Sequence, residues 1–161
     1  MSGSGDGLEA KVLTVSDGVV AGTREDRSGV ALVERLTAEG YAVVEHRVSE
    51  DGRAAVGGAL EAMTFRFAGL VVTTGGTGFT ARDETPEGTK DILEREAPGL
   101  AEAMRLVSPL GRLSRATAGT RGKALVLNTP GSPKGTVECL EAVIDIVPHA
   151  VRLLVDAPTQ H

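Results

Sequence analysis

The sequence predicts a single α/β domain in three layers, a mostly parallel sheet with helices on both faces. Three observations point there. Short apolar runs alternate with amphipathic segments, the order that produces strand–helix–strand crossovers. The runs are short, and Leu70-Val71-Val72-Thr73-Thr74 has the look of a strand buried on both faces. A chain of 161 residues fits one domain with a sizeable core.

Residues 1–9 read as a flexible tail, opened by the Gly/Ser run Met1-Ser2-Gly3-Ser4-Gly5-Asp6-Gly7, and residues 10–157 as the domain. Residues 11–16, with Val12, Leu13 and Val15, form the first strand. A helix follows over 28–39, with Leu32, Val33 and Leu36 on one face and Gly40 as its stop. Residues 41–48 are strand-like. Val56, Leu60 and Met63 share a face of a helix over 52–63, weakened by Gly57 and Gly58. Residues 70–74 are a buried strand that Gly75-Gly76-Thr77-Gly78 cannot continue. Helices are expected over 86–96 and from Pro98 through Leu100, Met104 and Val107; residues 108–122 show no period. The last strand is 123–127. From Pro133 a helix turns Val137, Leu140, Ile144 and Val147 inward, and Pro148 is expected to kink or break it before 150–155.

Composition narrows the function. The net charge of −5 and 2% aromatic content argue against a nucleic-acid partner. One Cys forms no internal disulfide, no signal peptide opens the chain, and no apolar stretch reaches the length of a membrane span. A cytoplasmic address is expected. Gly occurs 21 times, roughly twice the average share, so backbone conformation is selected at many positions.

Such sheets place ligands beyond the carboxyl ends of their strands, which directs attention to four junctions. The first holds Ser16-Asp17-Gly18 and then Gly22-Thr23-Arg24-Glu25-Asp26-Arg27-Ser28-Gly29. It reads equally as a site lining or as a solvated loop with Asp26 or Ser28 capping a helix. The third carries most information. After Thr74, glycines 75, 76 and 78 let backbone N–H groups around Thr77 converge on an anion. Thr85 as N-cap, Pro86 at N1 and Glu87 inside aim a helix N-terminus at the same place. Arg82 offers a forked donor pair. Asp83 beside a phosphate would repel it unless a divalent cation lay between, so Asp83 suggests Mg²⁺. In the last junction, Asn128-Thr129-Pro130-Gly131-Ser132-Pro133, Ser132 caps and Pro133 opens a second helix. Ser49-Glu50-Asp51-Gly52 follows the second strand. Its acids suit a helix start, and Asp51 could also join Asp83 at a shared cation.

Other chemistries lack their signals. There is no GxxxxGK[ST] phosphate loop and no full GxGxxG. His46, His149 and His161 are scattered, and Cys139 beside Leu140 reads as a core residue.

Thr14-Val15-Ser16-Asp17, Asp26-Arg27-Ser28-Gly29, the segment from Gly75 to Asp83 with Thr85-Pro86-Glu87, Leu113-Ser114-Arg115 and Pro130-Gly131-Ser132-Pro133 together resemble the MogA/MoaB family, which includes the gephyrin G domain. The likeness runs over about residues 10–154, with motifs in the family's order. The resemblance implies a homotrimer that transfers AMP from Mg-ATP to the phosphate of molybdopterin, releasing pyrophosphate. It also implies a link to the molybdenum-insertion enzyme of the same pathway. Two family aspartates fall on Asp51 and Asp83, as catalytic residues and Mg²⁺ ligands. The family's Pro-Asp-Glu is Glu50-Asp51-Gly52 here, so Glu50 stands as an alternative to Asp51. Ser114 and Arg115 join the substrate-binding set through the same likeness. A non-catalytic molybdopterin-binding or scaffold protein of this fold is the second reading.

Overall fold

The computed structural model describes residues 5–156. The described chain runs β1 (Glu9–Val15), α1 (Asp17–Val20), α2 (Arg27–Ala38), β2 (Ala42–Ser49), α3 (Arg53–Thr64), β3 (Gly69–Thr74), α4 (Thr85–Ile92), β4 (Arg95–Glu96), α5 (Pro98–Arg105), a 3₁₀ turn (Pro109–Leu113), β5 (Ala118–Arg121), β6 (Ala124–Thr129), α6 (Pro133–Glu141) and α7 (Val147–Leu154).

The strands form one six-stranded sheet in the order β2-β1-β3-β6-β5-β4. β2, β1, β3 and β6 are parallel, and β5 runs antiparallel between β6 and β4. Because side chains alternate across a strand, consecutive apolar residues feed two cores. Val12, Leu70, Val72, Leu125 and Leu127 pack with Leu32, Leu36, Met104, Leu140 and Val151, which places α2, α5, α6 and α7 on that face. Leu13, Val71, Ala124 and Val126 meet Val56, Leu60, Met63 and Ile92 of α3 and α4 on the other. The two-layer cover is why β3 and β6 are buried along their whole length.

Register brings the strand ends level. Val15 lies opposite Ser49, Thr14 opposite Thr74, and Thr74 opposite Thr129. The loops that leave β1, β2, β3 and β6 therefore open onto one edge of the sheet.

The structure corrects the sequence reading at six places. β1 begins at Glu9, and Gly5 N–H donates to the Glu39 carbonyl, so part of the expected tail is bonded to the domain; residues 1–4 and 157–161 lie outside the described residues. A four-residue helix, α1, fills the first junction. The helix expected over 86–96 stops at Ile92, and the aperiodic stretch 108–122 contains β5. Residue 84, not Thr85, occupies the N-cap of α4, because the Thr85 hydroxyl donates to the Gly75 carbonyl at 2.8 Å. Pro148 does not break a helix; it sits in the first turn of α7, and the break falls before it, between Glu141 and Val147. Proline is at ease there because a first-turn N–H has no intrahelical partner to lose.

Candidate functional site

At the carboxyl edge of the parallel strands lies a polar cavity of about 580 Å³, with Ser16, Asp51, Thr74, Gly75, Gly76, Asp83 and Gly131 among its lining. Residues from all four junctions thus meet around one space. Gly75 and Gly76 turn the chain out of β3 with φ of 101° and 72°, a region that side chains disfavour. The bend is stitched at its base. Gly75 N–H donates to the Thr129 carbonyl, and Thr85 N–H to the Gly76 carbonyl.

Asp51 and Asp17 are locked reciprocally. Asp17 N–H donates to Asp51 Oδ2 at 2.9 Å, and Asp51 N–H donates to Asp17 Oδ1 at 3.0 Å. Arg82 lays its fork on Asp17, Nε to Oδ2 at 3.0 Å and Nη2 to Oδ1 at 3.1 Å, and also donates to the Asp51 carbonyl at 2.8 Å. That guanidinium holds the Asp17 carboxyl below the ordinary carboxylate range. Asp51 goes the other way. Burial raises its pKa, and the charges of Asp17 and Asp83 add to the rise against the Asp17 N–H bond and Arg82. An aspartate whose ionised form is disfavoured by burial and by like charge is one that a cation would stabilise.

Asp83 faces the same cavity, with Oδ2 accepting from Thr80 N–H at 3.0 Å. Its loop is clamped by Arg115, which donates to the Gly78 carbonyl at 2.8 Å, the Asp83 carbonyl at 2.6 Å and Glu87 Oε2 at 2.5 Å. Arg115 N–H also donates to the Thr77 carbonyl. Burial works to raise the Glu87 carboxyl, and Arg115 outweighs it, leaving Glu87 below its usual range.

Asp51 and Asp83 fit a hard divalent cation in one respect: each commits one oxygen to a backbone N–H and keeps the other. No cluster of three or more metal-ligating side chains occurs among the described residues. Two carboxylates are what Mg²⁺ commonly takes from a protein when substrate phosphates complete its shell.

Of the remaining expected residues, some reach the polar cavity and others fall behind it. Thr74 is buried and donates to the Pro130 carbonyl at 2.8 Å, joining two junctions. Asn128, fully buried, donates to Thr73 and Thr89 hydroxyls and accepts from Thr117 N–H, so its amide is spent inside the fold. Ser132 caps α6 through Gly135 N–H at 3.0 Å. Ser114, Asn128, Pro130 and Ser132 line a second cavity of about 480 Å³, walled by α5, the 3₁₀ turn and α6. The loop left with two readings satisfies both. Asp26 caps α2 through Gly29 N–H, and Arg24, Glu25, Asp26 and Arg27 line the polar cavity. In sequence, Arg24 is signalled by a dense polar run after a strand, and Arg27 by that run and by the Asp26-Arg27-Ser28-Gly29 motif.

Cys139 in the second cavity is 8% exposed, and burial pushes its thiol up to about 11. Reaction needs the thiolate. A thiol reagent at pH 8 is expected to leave native protein unmodified by intact mass; rapid single labelling would contradict this.

Known proteins resemble this chain in sequence and fold. The family model described as "Probable molybdopterin binding domain" matches residues 11–149. A molybdopterin adenylyltransferase of Helicobacter pylori is 41% identical over 150 residues, covering 89% of this chain and 85% of the relative. One from Escherichia coli is 38% identical over 145 residues, covering 86% and 74%. The crystal structure of the molybdopterin biosynthesis enzyme MoaB from Thermus thermophilus superposes with a TM-score of 0.88 at 42% identity, over 95% of this chain and 99% of that one. The motifs, the sheet and the strand-end cavity thus lead to one statement: the chain belongs to the MogA/MoaB family of molybdopterin-binding domains.

Proposed function

We propose that the protein is a molybdopterin adenylyltransferase that transfers AMP from Mg-ATP to the phosphate of molybdopterin, working as a cytoplasmic homotrimer that hands its product to a molybdenum-insertion enzyme. The observation that carries this reading is the convergence of Asp51, Asp83 and the Gly75–Gly76 bend on one polar cavity. The relatives that carry the adenylyltransferase name match over most of the chain.

In the reaction an oxygen of the pterin phosphate attacks the α-phosphorus of ATP. A new phosphorus–oxygen bond forms, the bond to the β-phosphate bridge breaks, and pyrophosphate leaves with the electron pair. The nucleophile is already an anion, so no activated Ser or Cys is required, and neither Cys139 nor any histidine lines the polar cavity. The protein's task is to hold two polyanions together against their repulsion. Asp51 and Asp83 would hold Mg²⁺, which supplies charge neutralisation at the phosphates. The Gly75–Gly76 bend presents backbone near that position. Asp17 and Arg82 fix the rotamer of Asp51, and Arg115 fixes the loop of Asp83.

Purified protein incubated with molybdopterin and Mg-ATP is expected to yield adenylylated pterin and pyrophosphate. Pterin binding with no AMP transfer would replace this reading by the scaffold.

The geometry also favours Asp51 over Glu50 as the second carboxylate. Asp51 lines the cavity, whereas Glu50 is exposed and does not. Asp51→Asn is expected to lower kcat about a hundredfold or more, and Glu50→Gln to stay within about twofold of the parent. Steady-state rates of the two variants check this; the reverse order would move the role to Glu50.

A further inference from the structure

The polar cavity has an imbalance of charge. Glu25, Asp26, Asp51 and Asp83 line it, and two of those carboxylates stand where a phosphate must come. The arginine that sequence reading offered for that phosphate is already engaged. Arg82 spends Nε and Nη2 on Asp17 and the Asp51 carbonyl, and it does not line the cavity. Arg115 is likewise outside the lining, with its guanidinium on Gly78, Asp83 and Glu87. Moving either one onto a ligand would release the aspartate it braces. Among the described residues, the cationic side chains that do line the cavity are Arg24 and Arg27.

Both are poised rather than committed. Arg24 side-chain nitrogens have no hydrogen-bond or ion-pair partner among the described residues, while its backbone N–H anchors the loop to the Gly18 carbonyl at 3.2 Å. Arg27 touches only Glu25, at 3.4 Å, with the two side chains 77% and 82% exposed, a pair worth little in water. Arg27 is also the first residue of α2, so a helix of twelve residues anchors the inner end of this loop. A guanidinium offers a planar fork matched to phosphate oxygens.

We infer that the Arg24–Arg27 loop is the phosphate-binding arm of this site, closing its cations on a substrate phosphate held over Asp51 and Asp83, whereas Arg82 and Arg115 are positioning residues. The inference rests on the adenylyltransferase reading for the identity of the substrates. The shared chemistry is a phosphate oxyanion, which either the triphosphate of ATP or the phosphate of molybdopterin supplies.

The test reads binding apart from turnover. Calorimetric titration of Mg-ATP, and separately of molybdopterin, would be run on the parent, Arg24→Ala/Arg27→Ala, Arg24→Lys/Arg27→Lys and Arg82→Gln. The alanine pair is expected to weaken one of the two ligands by about tenfold or more, steeply at low salt, with Tm unchanged because both side chains are exposed. The ligand that weakens is the one whose phosphate the arm takes. Lysine at both positions is expected to recover most of the affinity, and Arg82→Gln, which loosens Asp51, to lower kcat without reproducing the alanine pair's loss of affinity. Undiminished affinity for both ligands in the alanine pair would overturn the inference. So would a tenfold loss in Arg82→Gln with none in the alanine pair. A parent protein that binds phosphate through the arm but transfers no AMP would sink the enzyme reading and leave the arm standing.

Discussion

Asp83→Asn is expected to abolish AMP transfer, lowering kcat about a thousandfold, while molybdopterin binding and Tm stay near those of the parent. The separation follows from what each part of Asp83 does. Its carbonyl takes the Arg115 bond, and Oδ2 accepts from Thr80 N–H. An asparagine oxygen can accept that second bond equally well, so the loop keeps its shape. What disappears is one negative charge beside Asp51, and with it half of the carboxylate pair proposed to hold Mg²⁺. Groups that stabilise developing charge in a closed site are worth about 10²–10³ in rate each, and a metal ligand is at the upper end. Pre-steady-state AMP transfer with saturating Mg-ATP measures this. Turnover within tenfold of the parent would take Asp83 out of the chemistry. A fall in Tm comparable to the loss of activity would assign it a structural role.

Gly75→Ala should be the most damaging single substitution at the site, and here the loss is of the fold. An added Cβ would lie 2.3 Å from the Val15 carbonyl oxygen, at a backbone φ of 101°. The obstacle is backbone of the neighbouring strand and cannot rotate away. Strained φ and a backbone clash each cost on the order of 1–3 kcal/mol, so a loss of about 3 kcal/mol is expected, or about 10 °C in Tm for a chain of this size. Gly131→Ala is the matched control. Its Cβ would come no closer than 3.4 Å to Gly75 Cα, an ordinary contact. Thermal unfolding of the two variants by circular dichroism checks the difference. Equal melting temperatures would mean that β1 and the bend shift more freely than the packing implies.

The parts of the fold that sequence reveals are those whose cause is local. β1, β3 and β6 are runs of Val and Leu because both faces are covered, and residues 12–15, 70–72 and 124–127 show it directly. β4 and β5 have no such cause. Gly119-Thr120-Arg121 form a strand because β6, entered directly through Gly122-Lys123, offers a row of unpaired backbone groups, and Arg95-Glu96 because β5 then offers the next edge, a property of a partner farther along the chain. Thr85 departs from the expected cap for a related reason: its hydroxyl has the right position in sequence and a better partner in the Gly75 carbonyl.

The site divides the same way. Glycine at 75 and 76 and the acid at 83 are legible because the bend itself dictates them. That Asp51 and Asp83 share a cavity follows from placing β1 between β2 and β3, which strand–helix alternation alone does not fix. The partners of the arginines are less legible still. Arg82 pairs with a residue 65 positions away and Arg115 spans 37 to Gly78, so forked donors that look free in sequence are engaged in space. Arg24 and Arg27 show the converse, ordinary surface arginines until the loop is folded against the strand ends.

The seclusion of Cys139 supplies a built-in clock. Its thiol has the Met104 carbonyl as partner, at 3.5 Å between α5 and α6, so alkylation speeds up when those helices separate. With one Cys in the chain, each modified molecule records one such excursion. The fraction modified over hours, followed with and without substrate, would report how often the α5–α6 layer peels from the sheet and whether cargo slows its breathing.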